Sequence, residues 1–153
     1  EHFSKMPFIK IHRGSDRLLT PHFRESEFFC KSVDFKRDFH LLDQSLVMGA
    51  EIVREFADTP VLIASSFRTP EGNKACGGAP DSFHLRGMAI DLRCPLKQSL
   101  ISENLFRRGF LYHSLRSAGI NGFGISERFL HIDTRSFGYT PDPEFGSYSL
   151  WYY

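Results

Sequence analysis

The spacing of three polar residues constrains the fold of this chain more than any other feature. His84 and Asp91 are seven positions apart in the segment 65–91, and His131 follows in the segment FLHIDTR. Two histidines and one carboxylate form a common catalytic zinc set, with a fourth position left open. On one extended strand His84 and Asp91 would lie over ~20 Å apart. A bend at Gly87, which glycine permits without steric cost, must therefore fold His84 back beside Asp91.

Length and composition favour one globular unit. The chain has 153 residues, of which 41% are hydrophobic, so we expect a single domain over 1–153. Its core should span about 20–135, and the aromatic tail 136–153 should pack along an edge. The net charge of +1 argues against a nucleic-acid partner. No apolar run approaches the ~18 residues that a membrane span requires.

Hydrophobic periodicity predicts a mixture of helices and strands. Helices are expected at 38–57, with Asp38 as the cap, and at 102–117; a turn with a short helix, capped by Thr20, is expected at 20–28. Strands are expected at 8–11, 61–65, 88–92, 122–125 and 129–133, the last two forming a hairpin. The pattern is typical of an α+β domain in which helices flank a small central antiparallel sheet.

The three cysteines give a weaker signal. Cys30, Cys76 and Cys94 include no CxxC pair, so a cysteine zinc site is not expected. Buried free thiols are the favoured interpretation. A bridge from Cys94 to Cys30 or Cys76 in an oxidising compartment stays open.

Several short motifs occur in a fixed order along the chain. They are SFRTP at 66–70, NK at 73–74, GGA at 77–79, SFHLRGMAID at 82–91 and FLHID at 129–133. This order resembles the zinc D-alanyl-D-alanine carboxypeptidase family, in its branch with an HxD ending. That family includes murein endopeptidases and phage endolysins, and it shares its fold with the hedgehog signalling domain. The resemblance covers about 20–135, and its SxHxxGxAxD pattern is specific.

The resemblance implies roles for five residues. His84, Asp91 and His131 would be the ligands of one Zn²⁺ ion. Arg68 would hold a carboxylate or carbonyl of the substrate, and an arginine fork independently suits a planar carboxylate. Ser82 would hydrogen-bond the peptide near the metal, although a serine at this position can also cap a turn.

The general base is less well defined by the sequence. Some relatives carry an acid three residues before the last histidine, where this chain has Arg128. Asp133 and Glu127 are the alternatives, and Asp133 is preferred because it lies within the motif. Asp133 could instead orient His131.

The resemblance also implies a function. The chain is expected to be a zinc-dependent peptidase acting on peptidoglycan stem peptides, either as a D-alanine carboxypeptidase or as a cross-link endopeptidase. The alternative is a non-catalytic zinc-containing module of the same fold that binds the cell wall or a protein. We expect a monomer that acts in the periplasm or cell wall, or a phage-derived protein.

Overall fold

The computed structural model describes residues 7–153, which fold into nine strands and four helices. The strands are β1 (Phe8–His12), β2 (Leu18–Thr20), β3 (Phe23–Arg24), β4 (Phe39–Asp43), β5 (Leu62–Ser65), β6 (Ala89–Arg93), β7 (Gly122–Ile125), β8 (Leu130–Asp133) and β9 (Ser149–Tyr152). The helices are α1 (Gln44–Ala57), α2 (Pro70–Ala75), α3 (Gln98–Phe106) and α4 (Phe110–Ser117). Short 3₁₀ turns occur at Glu25–Phe28, Phe83–Arg86 and Pro95–Lys97.

The central sheet has five strands in the order β5-β6-β8-β7-β9. All neighbours are antiparallel except β7 and β9, which run parallel. The expected α+β class with a small, mainly antiparallel sheet is therefore confirmed. The register aligns Asp91, His131 and Gly124 side by side on β6, β8 and β7. The C-terminal tail, predicted from the sequence to pack along an edge, forms the edge strand β9 beside β7.

Helix α1 covers one face of the sheet. It packs against β6, β8 and α4, and its side chains Leu46, Ala50 and Val53 are fully buried. These residues belong to one continuous apolar cluster that also takes in Ile90 and Ile132 from the sheet. The opposite face of the central strands is thereby left for polar groups.

The predicted start of α1 at Asp38 is wrong. Residues 39–43 form β4, which pairs antiparallel with β1, and the helix is capped by Asp43, whose Oδ1 accepts from Ser45 N at 3.0 Å. Leu42 lies on β4 and is buried there. It is also four positions before Leu46, which is the spacing expected along one face of a helix. A spacing of four residues between two apolar side chains therefore does not tell a buried strand residue before the helix from a residue of the helix itself.

Two other helix predictions need correction. The helix expected at 102–117 is two helices, α3 and α4, because the chain turns at Arg108, which has a positive φ of 55°. Asn104 then caps the second helix by accepting from Leu111 N at 2.8 Å. No helix starts at Thr20; the segment forms β2, β3 and the 3₁₀ turn Glu25–Phe28.

Residues 7–153 contain neither a membrane-spanning helix nor a disulfide bond. None of the helices there combines the length and apolar character needed to cross a membrane. The three cysteines are free thiols, buried at Cys30 and Cys94 and exposed at Cys76.

Candidate metal centre

Three side chains from separate elements meet on the polar face of the sheet. His84 comes from the 3₁₀ turn Phe83–Arg86, Asp91 from β6 and His131 from β8. His84 Nε2 lies 3.2 Å from Asp91 Oδ1, and His131 Nδ1 lies 3.1 Å from the same oxygen. One ligand atom from each residue lies within 4.8 Å of the others, and all three residues are buried. The three positions therefore converge as the sequence predicted.

Gly87 makes this convergence possible. It ends the 3₁₀ turn in the left-handed region, with φ of 67°. A Cβ atom here would collide with the carbonyl oxygen of Leu41. The predicted bend is confirmed, and it returns His84 to the side of Asp91 before β6 begins.

The far nitrogen of each imidazole is held by an acceptor. His84 Nδ1 lies 2.8 Å from the carbonyl oxygen of Ser66, and His131 Nε2 lies 2.7 Å from Asp133 Oδ2. Since these oxygens only accept, the held nitrogens carry the protons. In a neutral ring the remaining nitrogen then presents its lone pair toward Asp91. A histidine ligand fixed through its other nitrogen is the usual arrangement at a metal site.

The donor set fits zinc in type and spacing. Bonds of about 2.0–2.1 Å in a tetrahedron place the ligand atoms roughly 3.3 Å apart along each edge. The observed separations of 3.2 and 3.1 Å are close to that edge. No fourth His, Cys, Asp or Glu from residues 7–153 joins the cluster, so the protein leaves the fourth position open.

The local charges also suit a cation. Burial alone would raise the pKa of Asp91, but hydrogen bonds and charge from His131 and His84 hold it well below its usual range. Burial has the same effect on Asp133, where hydrogen bonds from Arg135 and His131 outweigh it and lower the pKa to about 2. Both groups are therefore carboxylates at neutral pH.

Arg68 braces the cluster from the side. Its Nε donates to Ser65 Oγ at 3.0 Å, one terminal nitrogen to Asn73 Oδ1 at 3.2 Å and the other to Asp91 Oδ2 at 3.1 Å. Asp91 thus keeps Oδ1 for the histidines. A guanidinium has five N–H donors, so two remain for a further partner.

The two acids predicted as alternative general bases, Asp133 and Glu127, line neither of the cavities beside the cluster. Asp133 is fully buried, and Arg135 donates Nε to Oδ1 and a terminal nitrogen to Oδ2, both at 2.8 Å. It stands behind His131, in the orienting position that the sequence left as its alternative. Glu127 is exposed in the turn between β7 and β8 and lines neither of the two cavities described next.

Two cavities open beside the cluster, of about 420 and 460 Å³. We call them the first and second cavities. Both are bordered by Arg68, Asp91 and Phe129, and the second also reaches both histidines. Ser82 lines the second cavity and caps the 3₁₀ turn, since its Oγ accepts from His84 N at 3.2 Å.

Three residues that line the second cavity were not predicted as site residues. Asp81 contributes a carboxylate, and Trp151 and Tyr153 form an aromatic wall. The Trp151 ring centroid lies 5.3 Å from that of His131. A Cβ on Gly124 would come within 2.8 Å of both aromatic rings, so glycine is needed beneath them.

The aromatic wall of Trp151 and Tyr153 could be predicted only in part from the sequence. Side chains alternate along a strand, so Trp151 and Tyr153 share a face that Tyr152 does not. That alternation was visible in the tail, but the pairing of β9 with β7 was not.

A buried His–Asp–His cluster with one open position, beside two cavities of ligand-binding size, is typical of a catalytic metal site. The sequence match gives the class more narrowly. A family model described as Peptidase M15 matches residues 21–133, and the chain belongs to that family of zinc-dependent metallopeptidases. No curated protein matches the sequence.

Proposed function

We propose that this chain hydrolyses peptide bonds in the stem peptides of bacterial peptidoglycan, as a D-alanine carboxypeptidase or a cross-link endopeptidase. The observation that carries the proposal is the buried His–Asp–His cluster beside two cavities that share Arg68, Asp91 and Phe129 in their linings. A peptide bond at the open metal position could extend to either side. The motif order that resembles murein peptidases supports the cell wall as the source of that peptide.

The proposed roles follow from the contacts of each side chain. His84, Asp91 and His131 would hold zinc, while Ser66 and Asp133 keep the two rings in their ligating orientation. Zinc, when bound, polarises the scissile carbonyl and lowers the pKa of coordinated water toward about 7. Water activated in this way still needs an acceptor for its proton.

We assign that proton transfer to Asp81 as the first residue to test. A general base must reach the reacting water directly or through one intervening water. Asp81 lines the second cavity, whereas Asp133 has its oxygens occupied by His131 and Arg135. Within residues 7–153, Asp81 and the ligand Asp91 are the only carboxylates that border either cavity.

Arg68 and Ser82 would position the substrate. The two uncommitted N–H groups of Arg68 suit a substrate carboxylate or carbonyl beside the metal. Ser82 accepts from its own turn through Oγ, so its hydroxyl proton is available to a peptide carbonyl. With a murein substrate, we propose a working site outside the cytoplasmic membrane or within a lysing host.

The test is digestion of purified peptidoglycan, followed by mass spectrometry of the released fragments. We expect new amine ends with zinc, none after chelation and none with His84→Ala. Defined muropeptides then separate loss of a terminal D-alanine from cross-link cleavage. Tight binding to wall material without new amine ends would contradict hydrolysis and favour the non-catalytic module.

A further inference from the structure

Positive charge is concentrated in the first cavity. Its lining includes Lys31, Arg68, Arg93 and Arg128, against one acid, Asp91. The four cations come from different parts of the chain: the loop after the 3₁₀ turn Glu25–Phe28, the loop after β5, strand β6, and the turn between β7 and β8. The fold therefore brings them together.

Three of these cations form no ion pair within the part of the chain that the structure describes. Arg68 is committed to Asp91, but Lys31, Arg93 and Arg128 form no ion pair with a carboxylate of residues 7–153. All three are exposed. The Lys31 ammonium donates to the carbonyl oxygen of Glu27 at 3.3 Å, and the Glu27 carboxylate acts on it only beyond ion-pair distance. Their charge is therefore available to a ligand.

The second cavity differs in this respect. Its cations are Arg68 and Arg135, and Arg135 is paired with Asp133 at 2.8 Å. Asp81 adds a negative charge there. The two cavities thus differ in charge, and among residues 7–153 only the first is lined by cations outside ion pairs.

The first cavity also has apolar walls. Phe67 and Phe129 line it beside the cations. Arg93 follows Asp91 by two positions on β6, so both side chains project from the same face of the sheet. An acidic side chain has a short aliphatic stem and an anionic end, and it matches such a site in both parts.

We propose that the first cavity is a subsite for a carboxylate of the substrate, bound by Arg93 and Arg128 with Lys31, on one side of the scissile bond. This inference rests on the proposed peptidase function and adds a charge requirement to it. The carboxylate belongs either to an acidic side chain or to the peptide C-terminus. Both have the same chemistry and can be distinguished by amidating each in turn.

The test compares stem peptides in which one carboxylate is free or amidated, using the full zinc-loaded protein. We expect amidation of the bound carboxylate to raise KM about tenfold, with little change in kcat, because a hydrogen-bonded charge is lost. In the double variant Arg93→Gln, Arg128→Gln the two peptides should differ less than twofold. Arg107→Gln, an exposed arginine that lines neither cavity, is the matched control.

Binding gives a readout that does not depend on cleavage. Anisotropy of labelled acidic and amidated peptides, measured before cleavage is detectable, should show the same preference and lose it in Arg128→Glu. If the acidic peptide binds preferentially but no peptide is cut, the inference stands and the proposed function fails. Equal binding and equal kcat/KM for acid and amide overturn the inference alone.

Discussion

His131 and Asp133 lie two residues apart on β8, and their side chains are joined by a 2.7 Å hydrogen bond from Nε2 to Oδ2. Because side chains at i and i+2 share one face of a strand, a single short motif supplies both the metal ligand and the group that orients it. Arg135 holds the same carboxylate from the other side. The HxDxR segment thus forms a self-supporting unit.

Asp133→Asn should weaken zinc binding 10- to 100-fold while the fold is retained. The neutral amide still accepts from Nε2 but no longer favours a basic, well-oriented ring, and it leaves Arg135 without its counter-charge. Competition with a chromophoric chelator measures the affinity, and circular dichroism checks the fold. Unchanged zinc affinity with lost hydrolysis would support the sequence-based prediction that Asp133 is the general base.

Asp81→Asn should lower kcat by a factor of about 10² to 10⁴ without loss of zinc, because proton transfer would be impaired. Glu127→Gln is the matched control, since its side chain lies outside both cavities. Initial rates on a defined muropeptide, with metal content measured in parallel, decide whether Asp81 or Glu127 takes the proton. Loss of activity in Glu127→Gln alone would assign proton transfer to Glu127, the second candidate from the sequence.

Two of the metal ligands could be predicted from sequence because their signals are local. The glycine bend before β6 and the alternation along β6 place His84 and Asp91 with little dependence on distant structure, whereas His131 meets Asp91 through the pairing of β8 with β6 and was assigned from the resemblance in motif order. The same holds for β5 and for the C-terminal part of α1. Strong short-range patterns fix these elements.

Two elements that the sequence analysis missed, β4 and β9, depend on pairing between distant parts of the chain. Strand β4 was mistaken for helix because Leu42 continues the spacing of α1, and only its pairing with β1 settles the matter. Strand β9 pairs with β7 across 23 intervening residues, and hydrophobic periodicity cannot reveal that pairing. The cavity position of Trp151 follows from this pairing of β9 with β7.

Tyr153→Ala should raise KM several-fold, whereas Tyr152→Ala should leave it unchanged. Tyr153 lines the second cavity and packs 5.1 Å from the Phe129 ring, while Tyr152 points to the other face of β9 and packs near Phe106. An aromatic contact is worth about 0.5–1.5 kcal/mol, or roughly two- to twelvefold in affinity. Equal effects of the two substitutions on KM would mean that β9 acts only through the stability of the sheet edge.

Away from the metal, Glu25 should make folding stability depend on acid pH. Its side chain is fully buried and accepts from Ser15 Oγ at 2.5 Å, Arg17 Nε at 3.1 Å, and His12 N and Nδ1 at 2.6 and 2.8 Å. Burial alone would raise the pKa of Glu25, but these hydrogen bonds and the charge of Arg17 outweigh it and lower the pKa from 4.5 to about 2. The carboxylate is therefore the form that stabilises the fold.

A lowered pKa in the folded state gives stability that is full above about pH 4.5 and is lost as the pH falls toward 2. The loss attributable to Glu25 should reach about 2 kcal/mol between pH 7 and pH 3. Urea unfolding of the parent and of Glu25→Gln, both zinc-free, measures it at each pH. Since other acids titrate equally in both proteins, the stability difference between them should shrink by that amount at pH 3. A difference that stays constant with pH would show that Glu25 contributes through packing and not through its charge.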